Sequence, residues 1–437
     1  MYLVILQFGK KINEMKRIKH IILATLFLAA GITSALAQSS TSPYSRLGFG
    51  ILNDNATGMQ RSMGGVGYAM QNGRQINVMN PASYSQVDSL TFLWDIGMDL
   101  TNCWSKEYDK SGYNLGGGLD YITGQFRVAK NLGAALGLVP FSSVGYSFGG
   151  DLATGTDSKS GVGGLNELFL GVGYQPFKGL SIGANFSYLF GTTTNTTQVT
   201  YITTSQFTRS LEVRDWNVRA GLQYGFNISR KSRIVLGATY SPKKSMHGTA
   251  LGRKADISQD VVVDSHGNRV VVYDTIANMS MKGNYELPMA IGAGVSYTYD
   301  NRLNFEVDYT YQQWSKAKYT PINYFEVPST KWNDRWKVAA GVSYIPNPRG
   351  SYLKRMTYRL GAFYNNDYTN VNGNDVRDYG VTLGFSFPAL NSKTLVNLGV
   401  EWKHRYTAPT NLLKEDYLNV TLSVNFNEMW FWKNKIR

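Results

Sequence analysis

The chain has a single cysteine among 437 residues. This excludes a disulfide framework and any zinc or iron–sulfur site built on cysteine. Charge is sparse: Asp, Glu, Lys and Arg make up 17%, against roughly 25% in ordinary soluble proteins. Acidic residues are the scarcer class, 30 against 44 Lys and Arg, for a formal net charge of +14. After residue 37 no apolar run exceeds about ten residues, whereas a transmembrane helix needs roughly 20, so a helical membrane protein is excluded. Aromatic residues, by contrast, are abundant at 13%, and apolar content is 43%, too high for a disordered chain. The length fits two or three soluble domains or one large barrel.

Residues 15–37 read MKRIKHIILATLFLAAGITSALA. Lys16, Arg17 and Lys19 form a charged n-region, Ile21 to Ala30 an apolar h-region, and Ala35-Leu36-Ala37 a small-residue cleavage site. Residues 1–37 are therefore expected to be an upstream extension plus a secretory signal peptide, with the mature chain starting near Gln38. The residue directly after the cleavage site is Gln38, not cysteine, which argues against a lipoprotein. The mature chain keeps 39 basic and 29 acidic residues, net +10. An exported chain meets no genomic DNA, so the basic balance does not imply nucleic acid as a partner. Two classes are left, a soluble exported β-protein and an outer-membrane barrel.

Period-2 alternation runs through the rest of the chain. Leu418, Val420, Leu422, Val424 and Phe426 point one way, and Tyr417, Asn419, Thr421, Ser423 and Asn425 the other. Tyr379, Val381, Leu383, Phe385 and Phe387 repeat the pattern, as do Leu303, Phe305, Val307, Tyr309 and Tyr311. In a sandwich the apolar face packs on a second sheet; in a membrane barrel it meets lipid and the polar face lines the lumen. The connections discriminate. Fourteen strands are expected, roughly at 90–104, 114–128, 132–148, 162–176, 179–196, 206–226, 233–249, 279–299, 302–316, 330–345, 355–365, 376–388, 394–404 and 415–426. Links after even-numbered strands are mostly short. Those after odd-numbered strands are generally longer and polar, and the one over 250–278 is expected to hold a small hairpin around Ser265-His266-Gly267-Asn268. An even count with short turns on one side is the transmembrane arrangement, because only a closed sheet satisfies every backbone group in lipid. The fold class is thus an all-β, antiparallel transmembrane barrel over 89–426. Both barrel ends are expected in the periplasm, and a basic-aromatic tail over 427–437. Trp94, Trp104, Trp314, Trp332, Trp336, Trp402, Trp430 and Trp432 fall at strand ends, where interface girdles require aromatics.

Residues 38–88 lack sustained alternation and are too few for a core of their own. A barrel of fourteen strands is too wide for wall side chains to fill, so this segment is expected to be an N-terminal plug. Arg46, Arg61 and Arg74 are candidates to pair with lumen-facing Asp95, Asp99, Glu306 or Asp308. A signal peptide, a segment with Met63-Gly64-Gly65, then Asn80-Pro81-Ala82, then fourteen strands resembles the FadL-type outer-membrane transporters of hydrophobic compounds. The resemblance covers essentially the whole mature chain. It implies a plugged passive channel in the outer membrane for hydrophobic small molecules such as long-chain fatty acids. These would bind beside Met63, Gly64, Gly65, Asn80, Pro81 and Ala82, without a cofactor, and leave sideways through a kink in the third strand. Pro140, followed by Phe141, interrupts that strand with a residue that cannot donate to the ladder, and is the candidate lateral window; Pro242 and Pro288 are competing breaks. Two features depart from the resemblance. The chain runs eleven residues past Phe426, and the expected lumen carries many charges: Asp95, Asp99, Glu167, Asp215, Arg219, Glu286, Glu306, Asp308, Arg335, Lys337, Arg359, Asp378 and Glu401.

Enzymatic chemistry is not expected. Gly145-Tyr146-Ser147-Phe148-Gly149 matches the nucleophile-elbow pattern, but it lies in a β run with no following helix. His247, His266 and His404 are too scattered for a metal site. The Gly116-Gly117-Gly118 and Gly161 to Gly164 stretches do not open helices, so phosphate cradling is not indicated. Membrane lipids and a hydrophobic solute are the expected partners. The alternative is a non-transporting barrel that serves as a subunit of an outer-membrane assembly or secretion complex, binding protein partners through its long loops and basic turns.

Overall fold

The computed structural model describes residues 42–257, 262–263, 269–270, 273–320, 332–389 and 393–429. The expected signal peptide, the expected hairpin tip Ser265 to Asn268 and the tail residues from Trp430 onward lie outside the described residues. Fourteen antiparallel strands close on themselves. They are β1 Thr91–Glu107, β2 Lys110–Ala129, β3 Leu132–Leu152, β4 Gly155–Phe177, β5 Leu180–Thr200, β6 Thr204–Asn227, β7 Ser232–Ser241 continued by Lys244–Ile257, β8 Tyr273–Leu287 continued by Ala290–Tyr299, β9 Leu303–Gln312, β10 Arg335–Tyr344, β11 Thr357–Val371, β12 Asn374–Pro388, β13 Leu395–Ala408 and β14 Lys414–Met429. Strand β14 pairs with β1 from Lys414↔Lys106 to Met429↔Thr91, which seals the barrel and brings both of its ends to the short-turn rim.

Alternation resolves as the sequence demands. The buried partners along β14 are Thr421, Ser423, Asn425 and Asn427, while Leu422 between them is exposed. Leu168, Leu170, Val172, Phe186, Tyr188, Trp216, Leu222 and Tyr224 are likewise exposed on the outside of β4–β6. Such a continuous exposed apolar band exceeds what a soluble surface carries and is the surface a bilayer covers. Trp94, Trp104 and Trp402 are exposed on this outer surface. Trp314 and Trp332 depart from the girdle expectation. Trp314 opens a 3₁₀ turn, Trp314–Lys316, is only 2% exposed, and packs with Trp332 in an interior aromatic cluster.

The longer, polar links expected after odd-numbered strands are in large part strand. β4, β5 and β6 contain 23, 21 and 24 residues, far beyond the ~10 that cross lipid, and the hairpins at this extended end are tight. The threonine-rich stretch Thr192 to Thr200 pairs in register with Thr204 to Glu212, so polar residues there build a tall wall. Over 250–278, Val262–Val263 pairs with Arg269–Val270 as a small hairpin.

Prolines break the wall. Pro242–Lys243 interrupts β7, and Pro288–Met289 interrupts β8 at the matching level, so that Ser241 pairs with Ala290 below the break and Lys244 with Leu287 above it. Strand β6 pairs with the lower part of β7 from Ala220 and with its upper part up to Val213, leaving 214–219 unpaired to β7. A second opening lies between β2 and β3. Their pairing stops at Ile122↔Leu138, although β2 reaches back to Lys110 and β3 forward to Leu152.

Glycines on the inner face make room for residues 42–88. Gly173, Gly183 and Gly221 lie in one cross-strand row. A Cβ at Gly183 would come within 2.4 Å of the Pro81 backbone, and one at Gly221 within 2.2 Å of Asn80 Oδ1. Gly183→Val is therefore expected to dislodge the inner segment at a cost of about 1–3 kcal/mol while leaving the wall intact. Limited proteolysis should cut 42–88 faster in this variant, while the heat-dependent gel shift of the barrel stays unchanged. Cleavage no faster than in wild type would contradict the row's role.

Candidate functional site: the occupied lumen

Residues 42–88 contact strands around the whole circumference and are largely buried. Their local structure is fixed by short-range caps. Thr57 and Gln60 form a capping box on the turn Gly58–Arg61. Asn80 caps the 3₁₀ helix Pro81–Gln86, accepting from Ala82 N at 3.1 Å. Its Nδ2 donates to Tyr68 O at 2.7 Å and to Leu222 O at 3.1 Å on β6. The Asn-Pro-Ala motif thus joins inner segment and wall, and Asn80 and Ala82 are fully buried. Met63 is buried in a methionine-rich cluster with Met59, Val66 and Met70. Gly64 and Gly65 adopt φ of +77° and +81°, a region that favours glycine; the Gly64 N–H donates to Thr382 Oγ1 at 2.9 Å.

The charges expected in the lumen are there. Asp95, Glu167, Asp215, Glu306, Asp308, Arg335, Lys337, Arg359 and Asp378 are buried, and Asp99, Arg219, Glu286 and Glu401 are half-buried. The expected pairs for the inner arginines are not formed. Arg61 meets Asp120 at 2.8 Å, and Arg74 meets Asp88 at 3.5 Å; among the described residues Arg46 has no ion pair with Asp95, Asp99, Glu306 or Asp308. The register of β1 and β2 slips at Gly97/Met98, leaving Asp120 as the extra residue of a bulge, and bulges redirect side chains. Glu306 and Asp308 are occupied otherwise. Asp308 accepts from Gly67 N at 2.6 Å and Tyr68 N at 2.9 Å, and Glu306 from Ala69 N at 2.9 Å. Two wall carboxylates thus cap a turn of the inner segment.

The central lock was not visible in the sequence. Asp54 on the inner segment bridges Arg335 at 2.7 Å and Lys337 at 2.5 Å, both on β10. Burial by itself would raise the Asp54 carboxyl, but the Lys337 and Arg335 charges outweigh it and hold the group well below the usual carboxylate range. This triad lines two cavities, of about 170 Å³ and 80 Å³, whose walls mix charged and apolar groups. The larger is lined by Arg61, Asp99, Asp367, Asp378, Glu401 and Arg405 among others. Cations and anions are balanced around it, a surface suited to water and hostile to an alkyl chain.

Toward the extended end the filling is aromatic. Phe49 packs against Trp314, Tyr319 and Tyr285 with ring centroids 5.9, 5.3 and 6.4 Å apart. Tyr368 stacks on Trp314 at 4.6 Å and donates its hydroxyl to Gly50 O at 2.6 Å. Phe141, the bulged residue after Pro140, packs against this cluster. Beside it the inner segment takes over the free edge of β3: Ile51 pairs with Ser143, Leu52 with Ser142, and Asn53 N donates to Phe141 O at 2.9 Å.

The enzymatic motifs lie where the sequence reading put them. Gly145 to Gly149 are within β3 and Gly116 to Gly118 within β2. His247 and His404 bond Asp215 and Asp416, each at 2.8 Å, and no group of three or more metal-ligating residues exists among the described residues. Cys103 is buried on β1.

Asp54→Asn would leave Arg335 and Lys337 without their carboxylate. Breaking a buried pair costs roughly 3–5 kcal/mol; since Asp54 keeps 30% side-chain exposure, about 2–3 kcal/mol is expected. Planar-bilayer recording should show a new, anion-selective conductance in this variant, and silence equal to wild type would refute the lock. The pH dependence has a definite sign. With its folded-state value depressed, Asp54 stabilises fully above the ordinary carboxylate range, near pH 4, and its contribution fades only as pH falls below that. Wild-type closure should therefore persist at pH 5.

The barrel is similar to three solved structures. The toluene transporter TodX of Pseudomonas putida superposes with a TM-score of 0.58 at 16% identity, covering 87% of this chain and 100% of that one. The Ralstonia pickettii toluene transporter TbuX gives 0.55 at 14%, covering 85% and 98%. A FadL homologue of Pseudomonas aeruginosa gives 0.58 at 10%, covering 86% and 99%. The chain thus has the fold of the FadL-type outer-membrane channels. No curated protein matches it. The family model named BamG matches residues 17–437, which include the barrel and the segment inside it, and the chain belongs to the BamG family.

Proposed function

We propose that the protein is an outer-membrane barrel built on the plan of a channel for hydrophobic compounds, with its lumen shut by residues 42–88 as a plug, and that it serves as a non-transporting subunit of an outer-membrane assembly or secretion complex. The observation that carries this is the lumen's polarity. Its cavities are small and ringed by charge, with Asp54, Arg335 and Lys337 at their junction. Burying a hydrocarbon against these charged groups forfeits their hydration without replacement. In this reading the short turns face the periplasm, which the emergence of both barrel ends at that one rim supports, and the tall walls of β4–β6 offer surface outside the cell. Neither role calls for a cofactor or a catalytic residue.

A second reading, a passive channel for hydrophobic molecules such as long-chain fatty acids, draws support from two observations. One is the aromatic cluster around Phe49 and Tyr368, an apolar patch within the lumen. The other is the parted β2–β3 seam next to Pro140 and Phe141, which would serve as a lateral exit once Ile51 to Asn53 moved away.

One experiment separates the two. The mature protein, isolated from native membranes under mild crosslinking and then reconstituted into liposomes, is assayed for stoichiometric partners and for uptake of toluene and oleate. The subunit reading predicts a stable complex and uptake no faster than in empty liposomes. Saturable uptake by the isolated chain, lost on filling the seam with Ser143→Trp, would establish the channel and overturn the first reading.

A further inference from the structure

The short-turn rim carries positive charge on an ordered platform. Three neighbouring connections, β6–β7, β8–β9 and β10–β11, are tied to one another through their backbones: Asp300 N donates to Lys231 O at 2.7 Å, and Ile345 N to Arg302 O at 2.9 Å. Within the third, Asn347 N donates to Lys354 O at 2.8 Å, and the turn Tyr352–Arg355 is helical. Arg230, Lys231, Arg349 and Lys354 are exposed along this line, and among the described residues no carboxylate pairs with them. Exposed apolar side chains sit between the cations: Ile228, Tyr352 and Leu353, with Tyr299 and Tyr344 at the ends of the lipid-facing strands just above.

Cations on a rigid line, interleaved with apolar groups and abutting the hydrocarbon band, match the depth where phosphate headgroups meet acyl chains. We infer that the sector of the rim formed by Arg230, Lys231, Arg349 and Lys354 is a binding site for anionic phospholipid of the leaflet facing the short turns. Its phosphates would lie on the four cations and its chains against Ile228, Leu353, Tyr299 and Tyr344. The inference rests on the outer-membrane reading of the barrel but not on whether the lumen conducts.

Delipidated mature protein in neutral detergent is titrated with phosphatidylglycerol and with phosphatidylcholine at low salt, and bound lipid is counted by native mass spectrometry. Wild type should favour phosphatidylglycerol by at least about tenfold. Each basic residue near a membrane surface contributes about fivefold, so Arg230→Glu, Lys231→Glu, Arg349→Glu and Lys354→Glu together should erase the preference. Lys130→Glu with Lys178→Glu, on turns outside the sector, should keep most of it. The gel shift on heating reports folding; if the quadruple variant fails it, the two double variants, one per turn, give the same readout. Equal binding of both lipids, a preference surviving the charge reversal, or full displacement by millimolar inorganic phosphate would each overturn the site. So would an unchanged lipid preference with loss of a stoichiometric acidic protein, which would assign the platform to that partner. A lipid preference that survives the charge reversal with partner binding intact removes only this inference and leaves the subunit reading in place.

Discussion

A backbone crossing hydrocarbon has to satisfy each N–H and C=O within the protein, and in a β-structure only closure does so. This constraint governs the places where the wall is broken as firmly as those where it is continuous. Wherever proline or a parted seam interrupts the ladder, another element supplies the missing contacts from inside. At the β2–β3 seam it is the inner segment, through Ile51, Leu52 and Asn53. At the β7/β8 breaks it is the segment after β9, where Glu286 N donates to Lys318 O at 2.9 Å and Tyr285 bridges Tyr319. There Asp215, opposite the gap, accepts the His247 N–H at 2.8 Å and meets Lys244 at 3.3 Å. The inner segment is thus part of the wall's hydrogen bonding as well as the content of its lumen.

That coupling explains the glycines. For a chain of nearly fifty residues to lie against the inner face, the face must be smooth where the backbone crosses it. Rows such as Gly173–Gly183–Gly221 and the pair Gly341–Gly361 provide this. At the latter, Met63 backbone atoms would stand 2.2 to 2.4 Å from an added Cβ. Side chains with hydrogen-bonding ends then fix the segment: Gln223 donates to Tyr68 O and Met70 O at 2.9 and 3.2 Å, and Tyr121 accepts from Gly58 N at 2.7 Å.

Much of this was legible in the sequence because the barrel repeats one rule. Period-2 alternation and the connections together gave the fourteen strands and the lipid face of several, and Pro242 and Pro288 were visible as breaks because proline lacks a donor wherever it stands. Legibility ended where partners are distant in the chain. Arg61 was a candidate for four carboxylates, yet it meets Asp120, whose inward turn depends on a bulge that no local pattern encodes. Asp54 carried no signal in a stretch without periodicity, although it forms the central ion pairs. Trp314 sat at a strand end like the girdle residues, and only the inward path of its 3₁₀ turn distinguishes it. The inner glycines had a readable signature in retrospect. Gly380, Gly384 and Gly399 occupy polar-face positions, where a lumen filled by water alone would tolerate larger residues.

The same physics bears on function. In a conduit for apolar solutes the lumen wall has to offer replaceable apolar contacts, because a solute gains only what the displaced groups lose. Here the inner segment is held by ionic and main-chain contacts from opposite sides: Asp54 on β10, Arg61 on β2, Ser42 on Glu415 of β14 at 2.7 Å, and the Gly67–Ala69 turn on β9. Releasing it would strand several charges in a confined space at once, and the cost of each is several kcal/mol. A hydrophobic ligand has no complementary group to repay that cost, whereas a protein partner that seized the wall from outside would leave every one of these contacts intact. Tight internal locking combined with tall, hydrogen-bonded outer walls therefore favours a barrel used for its surfaces over one used for its bore.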